Sequence, residues 1–179
     1  MTYIALLRGI NVGRNKKVEM NKLKTVFEDL GFQNVSTYIN SGNVIFDCPQ
    51  TNVITLDSKI EKGIAKAFGF SVPVVIRTAQ NIQDVAKAVP ASWNNDSDQK
   101  TDILFLWEKF DSKETINLIK INPDVDELIY LPGAIVWHLD KKYYTKSGMH
   151  KFIGTEVYKN MTTRNINTVR KLGTVSEHK

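Results

Sequence analysis

The chain has 179 residues and a formal net charge of +5, and 42% of its residues are hydrophobic and 24% charged. These proportions are typical of globular proteins, so they exclude a disordered or fibrous chain. No apolar run approaches the roughly 20 residues that a membrane span needs, and the single cysteine excludes both an internal disulfide and a cysteine-rich metal site. We therefore expect a cytoplasmic protein that does not enter the membrane, and the composition leaves its oligomeric state open.

The charge is unevenly distributed along the chain. Residues 8–24 carry six cations and one acid, residues 141–171 carry eight cations and one acid, and residues 25–140 carry nine cations and sixteen acids. If the two basic segments meet in the folded protein, they would offer an anionic partner a positive cleft. If they do not, they are two solvated faces, and the sequence leaves both possibilities open.

Hydrophobic periodicity predicts the element order β-α-β-β-α-β over the first 77 residues. A polar turn at residues 40–43 joins two β-rich runs into a hairpin over residues 35–47. The other predicted elements are a strand at 3–8, a helix at 20–30 with Asn21 as N-cap, a helix at 56–68 and a strand at 72–77. The proline in this last strand indicates either an edge strand or the start of a strand. This element order is that of the ferredoxin-like fold, in which one antiparallel sheet carries both helices on one face.

The second half repeats this layout with different turn chemistry. After a helix at 82–89 and a polar stretch at 94–100, we expect a strand at 102–107, a helix opened by an Asp111–Glu114 capping box, a hairpin at 127–139 and helices at 151–158 and 164–172. The sequence therefore predicts an α+β protein of two ferredoxin-like, β-α-β-β based subdomains with antiparallel sheets, plus C-terminal helices. Their predicted limits are residues 1–90 and 101–179.

The basic loop at residues 9–18 follows a strand and precedes a helix, where backbone N–H groups and cations can hold a phosphate. Gly9 and Gly13 have neither the spacing of a Walker A loop nor that of a dinucleotide fingerprint. The loop is therefore either an anion-binding loop or a tight, solvated connection, and no cofactor is predicted.

Two further polar segments are candidate binding elements. Ser41 and Asn43 lie in the hairpin turn, where they either face a ligand or only shape the turn. Arg164 and Asn165 follow Thr163, the predicted N-cap of the last helix. A cation at the positive end of a helix dipole is unfavourable unless an anion or a carboxylate lies nearby.

Catalytic motifs are sparse. The three histidines, His138, His150 and His178, lack the spacing of a zinc motif, so no metal site is predicted. His138 is expected to be a core or edge residue. His150 and its neighbour Lys151 are the candidate proton-transfer groups.

The strings YIALLRGINVG, LKTVFEDLGFQNVSTYINSGNVIFD and TTRNINTVRKL resemble those of the bacterial domain-of-unknown-function family 1697. The resemblance implies two ferredoxin-like α+β subdomains. It also implies that Arg8, Asn11, Ser41, Asn43, Arg164 and Asn165 belong to the family's characteristic strings. One departure is Arg14, where the family pattern has a second glycine after Gly13.

Three functions remain in competition. The leading expectation is a binding module for a phosphate-bearing or other anionic ligand, a nucleotide or nucleic acid, through Arg8, Asn11, Lys16, Lys17, Ser41, Asn43, Arg164 and Asn165. The second is an enzyme that acts on a small phosphorylated or carboxylated metabolite, with His150 or Lys151 transferring the proton. The third is a protein that pairs with other proteins through edge strands at Val72 or Ala134.

Overall fold

The computed structural model describes residues 1–13, 16–49 and 53–175. The chain forms two compact units, Met1–Ala79 and the residues from Gln80 onwards. The elements of the first unit are β1 (Thr2–Leu7), α1 (Met20–Asp29), β2 (Gln33–Tyr38), β3 (Asn43–Asp47), α2 (Val53–Phe68) and β4 (Val74–Thr78). Helix α3 (Ala79–Ala88) begins at the boundary between the units.

The first unit is a four-stranded antiparallel sheet with strand order β2-β3-β1-β4. Side chains from one face of the sheet, such as Tyr3 and Phe46, pack with Phe27 of α1 and Ile60 of α2 in a hydrophobic cluster. Apolar residues recur at helical spacing in α1 and α2, so each helix turns one apolar stripe into this cluster. The predicted β-α-β-β-α-β order is confirmed. Strand β4 begins directly after Pro73 and lies at the edge of the sheet, so both alternatives for this strand hold.

The second unit has a sheet of the same topology. Its elements are β5 (Gln99–Leu106), two 3₁₀ helices (Glu108–Phe110 and Lys113–Leu118), β6 (Glu127–Leu131), β7 (Ala134–Asp140), a 3₁₀ helix (Lys141–Lys146), α4 (Met149–Phe152), α5 (Glu156–Lys159), β8 (Met161–Asn165) and α6 (Ile166–Val175). The strand order is β6-β7-β5-β8, which is the order of the first sheet transposed to β5–β8. The α+β class with two antiparallel sheets and C-terminal helices is confirmed.

The predicted capping box at Asp111 is wrong. The segment after β5 forms short 3₁₀ helices, and the residue that precedes the second of them is Ser112. The carboxylate of Asp111 instead accepts hydrogen bonds from the Tyr130 hydroxyl, at 2.9 Å, and from the Gly133 N–H, at 2.8 Å. The side chain therefore ties the loop after β5 to the β6–β7 hairpin, which sequence spacing alone does not reveal.

The C-terminal helices also differ from the prediction. The helix expected at 151–158 is divided into α4 and α5, and Gly154 between them has φ +89. The helix expected to begin at Arg164 begins at Ile166, because Met161–Asn165 pair with β5 as strand β8. The predicted N-cap Thr163 therefore lies within a strand, and hydrogen bonding across the sheet overrides the local cap signal.

Two smaller predictions concern termini and edges. Glu19, and not Asn21, precedes the first residue of α1. Ala134 lies on β7, which pairs with strands on both sides and is not an edge.

Within the described residues, no helix is long and apolar enough to cross a membrane, and no group of three or more potential metal ligands is present.

Candidate functional site

Three segments meet at one end of the first sheet: the loop after β1, the turn between β2 and β3, and the residues before β4. The Leu7 N–H donates to the Gly42 carbonyl and the Arg8 N–H donates to the Pro73 carbonyl, each at 2.9 Å. The basic loop and the polar hairpin turn, which lie about 30 residues apart in sequence, are therefore neighbours in space.

Asn11 holds the basic loop in place. Its side-chain amide donates to the carbonyls of Val18, at 3.0 Å, and of Asn40, at 2.8 Å, while its Oδ1 accepts from the Val18 N–H at 2.8 Å. Its backbone has φ +54, a conformation that asparagine tolerates better than most residues. Asn11 thus closes the loop on itself and ties it to the hairpin turn.

Gly42 lets the loop and the turn approach closely. It has φ +77, and a Cβ atom added there would lie 2.6 Å from Ile10 Cδ1 and 2.8 Å from Leu7 Cβ. Both distances are shorter than real contacts allow, so the position has no room for a side chain. Glycine is required here for its conformation and for its size.

An open cleft of about 640 Å³ lies beside this junction, at the N-terminal end of α1. Its lining residues are Asn11, Gly13, Lys17, Val18, Glu19, Met20, Asn21 and Asn40. Glu19 makes no side-chain cap hydrogen bond to the helix, and the first turn of α1 contains no acidic residue. The N–H groups of a first helical turn have no intrahelical partners, so this end of α1 carries partial positive charge.

Three predicted basic residues surround this end of the sheet. Lys17 is exposed and lines the cleft. The Lys16 ammonium donates to the Ser71 carbonyl at 3.1 Å, and Arg8 is half-buried at the end of β1. Arg14, the fourth cation of residues 8–18, lies outside the described residues.

Ser41 and Asn43 serve the turn itself. Asn43 is fully buried, and its amide donates to the Tyr38 carbonyl and to the Ser41 hydroxyl, each at 2.9 Å. Neither residue is among those that line the cleft. Through these hydrogen bonds, both polar side chains stabilise the conformation of the turn.

Arg164 and Asn165 belong to the second unit. The Arg164 side chain is 7% exposed, and its guanidinium donates to Thr162 Oγ1 at 3.1 Å and to the Thr163 carbonyl at 2.8 Å. Burial lowers the pKa of Arg164 to about 10. Asn165 Oδ1 accepts from the Thr168 N–H at 2.9 Å, so Asn165 caps α6 in the role predicted for Thr163.

The candidate proton-transfer residues are exposed. His150 and Lys151 lie on α4, and His150 Nε2 lies 3.1 Å from the Tyr144 carbonyl. Neither residue lines the cleft of the first unit. His138 is buried as expected, with its ring stacked on Trp93 at 4.3 Å between centroids.

The cleft also contains residues that the sequence had not marked for binding: Val18, Glu19, Met20, Asn21 and Asn40. Asn40 had been assigned to the turn, and Asn21 to a helix cap. Val18, Glu19 and Met20 could have been recognised from their position at the start of α1. A helix that follows a basic loop exposes its first N–H groups next to that loop, where an anion can bind.

Comparisons with known proteins agree with the fold. A family model described as a protein of unknown function, DUF1697, matches residues 1–137. The chain is similar to a conserved bacterial protein from Streptococcus pneumoniae of solved structure, with 29% sequence identity, a TM-score of 0.81 and coverage of 97% of each chain. No curated protein matches the chain.

Proposed function

Because the chain belongs to the DUF1697 family, whose model is described only as a protein of unknown function, we propose from its own geometry that the first unit binds an anionic, phosphate-bearing ligand. The binding site is the cleft at the N-terminal end of α1. The observation that carries the proposal is the combination, in one open cleft, of an uncapped helix N-terminus with Lys17. Both features favour negative charge at the same place.

The surrounding charges support the proposal. Residues 8–18 contain four cations and no acid. Lys17 supplies a charged donor inside the cleft, and Lys16 and Arg8 raise the positive potential at this end of the sheet. Charge-assisted hydrogen bonds to phosphate oxygens are stronger than neutral ones, so Lys17 is the main electrostatic contact.

Glu19 opposes an anion in the cleft. It is exposed and also lines the cleft, at the residue that precedes α1. A carboxylate there interacts favourably with the helix dipole and so competes with a bound phosphate. Removal of the Glu19 charge should therefore strengthen binding, whereas removal of the Lys17 charge should weaken it.

The test is a titration of the purified protein with pyrophosphate, with ATP and with a single-stranded oligonucleotide, followed by thermal shift and calorimetry. A ligand at a hundred times its Kd should raise stability by about 2.7 kcal/mol. We expect Lys17→Gln to weaken binding about tenfold or more and Glu19→Gln to strengthen it about threefold to tenfold. Lys62→Gln removes an exposed charge of α2 that does not line the cleft, and it is the matched control.

The ligand class follows from the dependence of affinity on salt. A nucleic acid loses affinity with a log–log slope of about −0.9 per contacted phosphate on a duplex and about −0.7 on a single strand, whereas a nucleotide shows the weak slope of a small anion. The proposal fails if no phosphate compound changes the melting temperature of the wild-type protein. It fails equally if Lys17→Gln and Lys62→Gln bind alike.

A further inference from the structure

A second basic surface lies on the second unit, where the chain leaves β7. It consists of Lys142, Tyr143, Tyr144, Lys146, His150 and Lys151, which we call the basic aromatic surface. These residues lie on the 3₁₀ helix Lys141–Lys146 and on α4, and all of them are exposed. The tyrosine side chains are 40% and 37% exposed, an unusual exposure for two adjacent aromatic rings.

The charge of this surface has a single sign. Residues 141–155 contain four lysines and no aspartate or glutamate. Asp140 lies 3.6 Å from the Lys142 ammonium, but both side chains are largely exposed, so this ion pair contributes little. The surface therefore presents a net positive potential to the solvent.

Cations lie next to aromatic rings in space as well as in sequence. The ammonium groups of Lys142 and Lys146 lie 4.8 Å and 5.9 Å from the centroid of the Tyr143 ring. The rings of Tyr144 and His150 meet edge to face, with centroids 4.6 Å apart. A planar group stacked on these rings would thus have cations within reach of its substituents.

The surface has a rigid support. The buried carboxylate of Asp126 accepts hydrogen bonds from the Ser147 hydroxyl and the Gly148 N–H. The Asn122 amide donates to the Lys146 carbonyl at 3.1 Å, and a Cβ atom on Gly148 would lie 2.1 Å from the Lys120 carbonyl oxygen. The loop at 120–126 therefore anchors the backbone at residues 146–148, between the two short helices of the basic aromatic surface. A backbone that is fixed before binding lowers the entropic cost of binding.

We propose that the basic aromatic surface binds single-stranded nucleic acid. Bases stack on Tyr143 and Tyr144, and Lys142, Lys146 and Lys151 contact the phosphates. Exposed aromatic rings interleaved with cations are the recurring features of single-strand binding, because each base has a face to stack and each nucleotide a charge to neutralise. A duplex hides its base faces, so it could use only the lysines.

A membrane surface fits this region less well. Interfacial binding uses a long amphipathic helix with a broad apolar face. The basic aromatic surface is built from a six-residue 3₁₀ helix and a four-residue α-helix. Its aromatic residues carry hydroxyl groups, and the lysines lie directly beside them, so a stacking partner with negative charge matches it better than an acyl-chain boundary.

The test is the fluorescence anisotropy of a labelled oligouridine of about 12 nucleotides, a length in the range of one small binding domain. We expect Tyr143→Ala to weaken binding about fivefold to a hundredfold, since a stacked base contributes about 1–3 kcal/mol. Tyr143→Phe retains the ring and should bind as the wild-type protein does. Lys146→Gln should reduce the slope of log affinity against log salt by about 0.7.

The controls separate this surface from the cleft of the first unit. Lys113→Gln removes an exposed lysine of another 3₁₀ helix and should leave both affinity and slope unchanged. The oligouridine titrations of Tyr143→Ala and Lys146→Gln are repeated in the Lys17→Gln background, so that binding in the cleft of the first unit does not contribute. If Tyr143→Ala does not fold, as judged by circular dichroism, Lys142→Gln and Lys146→Gln test the same surface without loss of a ring.

Three results would overturn the proposal. One is equal oligouridine affinity for the wild-type protein, Tyr143→Ala and Lys146→Gln. Another is equal binding of a duplex of the same length, which would reduce the surface to a phosphate contact. The third is binding to vesicles of phosphatidylserine and phosphatidylcholine without binding to oligouridine, which would assign the surface to membranes.

Discussion

Asp126 is a buried acid of the second unit with four hydrogen-bond partners. It is 3% exposed, and its carboxylate accepts hydrogen bonds from the Asn122 N–H, the Trp137 indole, the Ser147 hydroxyl and the Gly148 N–H. Burial raises the pKa of this carboxyl, but the four hydrogen bonds outweigh that effect and hold the pKa of Asp126 below its ordinary value. The residue joins two loops to the central strand β7.

We predict that Asp126→Asn lowers the free energy of unfolding by roughly 2–3 kcal/mol. The NH₂ group of the asparagine would face hydrogen-bond donors whose hydrogen bonds the carboxylate accepts. The lowered pKa sets the pH dependence. The stabilisation is complete above the ordinary pKa of about 3.9 and is lost as the pH falls through the lower folded value. Urea unfolding should therefore show a constant difference at neutral pH that shrinks in acid.

Asp124→Asn is the matched control for this prediction. Asp124 is exposed two residues away, and surface substitutions of this kind change stability by less than about 0.5 kcal/mol. Equal stability of Asp126→Asn and the wild-type protein at neutral pH would contradict the structural role of Asp126.

His138 is held neutral by its surroundings. The Thr101 hydroxyl donates its only proton to the Asn94 carbonyl at 2.7 Å. It therefore accepts the hydrogen bond from His138 Nδ1, at 2.8 Å, and the proton of the neutral ring lies on Nδ1. Burial lowers the pKa of His138, and the charges of Glu127 and Asp140 oppose that effect only in part.

We predict that protonation of His138 destabilises the protein in mild acid. Its pKa is lower in the folded chain than in the unfolded one, so the stabilisation is complete above about pH 6.5 and is lost as the pH falls from there towards the folded pKa. His138→Phe keeps a ring against Trp93 but cannot titrate. Its melting temperature should therefore fall less than that of the wild-type protein between neutral pH and about pH 5, and parallel curves would refute the prediction.

At the scale of elements, the loop after β1 and the β2–β3 turn form one structure. Their contact depends on Gly42, where positive φ and close packing act together. Gly31, after α1, has φ +86 but nothing within 4 Å of an added Cβ atom. The two glycines therefore separate the cost of backbone strain from the cost of steric overlap.

We predict that Gly31→Ala costs roughly 1–2 kcal/mol, the price of a left-handed residue. Gly42→Ala should cost roughly 1–3 kcal/mol more, because the loop must also move away from the turn. Calorimetric melting of both variants measures the difference. Equal losses of stability in the two variants would show that the loop can move away from the turn at no cost in free energy. The cleft beside the loop would then lack a fixed shape.

At the scale of the whole molecule, each unit has a hydrophobic cluster and a spectroscopic probe of its own. The three tryptophans, Trp93, Trp107 and Trp137, all lie in the second unit, and the single cysteine, Cys48, is 7% exposed in the cluster of the first. Tryptophan fluorescence and thiol reactivity therefore report on different units of the same chain.

We predict that Phe46→Ala, which removes a ring in contact with Tyr3, Phe27 and Phe32, destabilises the first unit by roughly 3–5 kcal/mol. The urea midpoint of Cys48 reactivity should then fall more than that of tryptophan fluorescence. Identical shifts in both signals would show that the two units unfold as one cooperative system.

The sequence by itself determined the class of the fold, the order of the elements in the first unit and the position of the basic loop. These features depend on hydrophobic periodicity and on turn residues, both of which can be recognised within a short stretch of sequence. Examples are the apolar spacing of α1, the turn at 40–43 and Gly31. The family strings at residues 3–13, 23–47 and 162–172 implied the same α+β fold of two subdomains.

Only the tertiary structure decided what the polar residues do. The residues predicted to start a helix at Arg164 form strand β8 instead, because they pair with β5. This partner lies about 60 residues away in sequence, so the local pattern does not reveal it. Asp111, which the local pattern indicated as a helix cap, instead accepts a hydrogen bond from the Gly133 N–H. Asn11, Asn43 and Asp126 likewise meet their partners through the fold. Local sequence signals are worth about 1 kcal/mol each, whereas sheet pairing and burial add many such contributions, so the long-range contacts prevail where the two disagree.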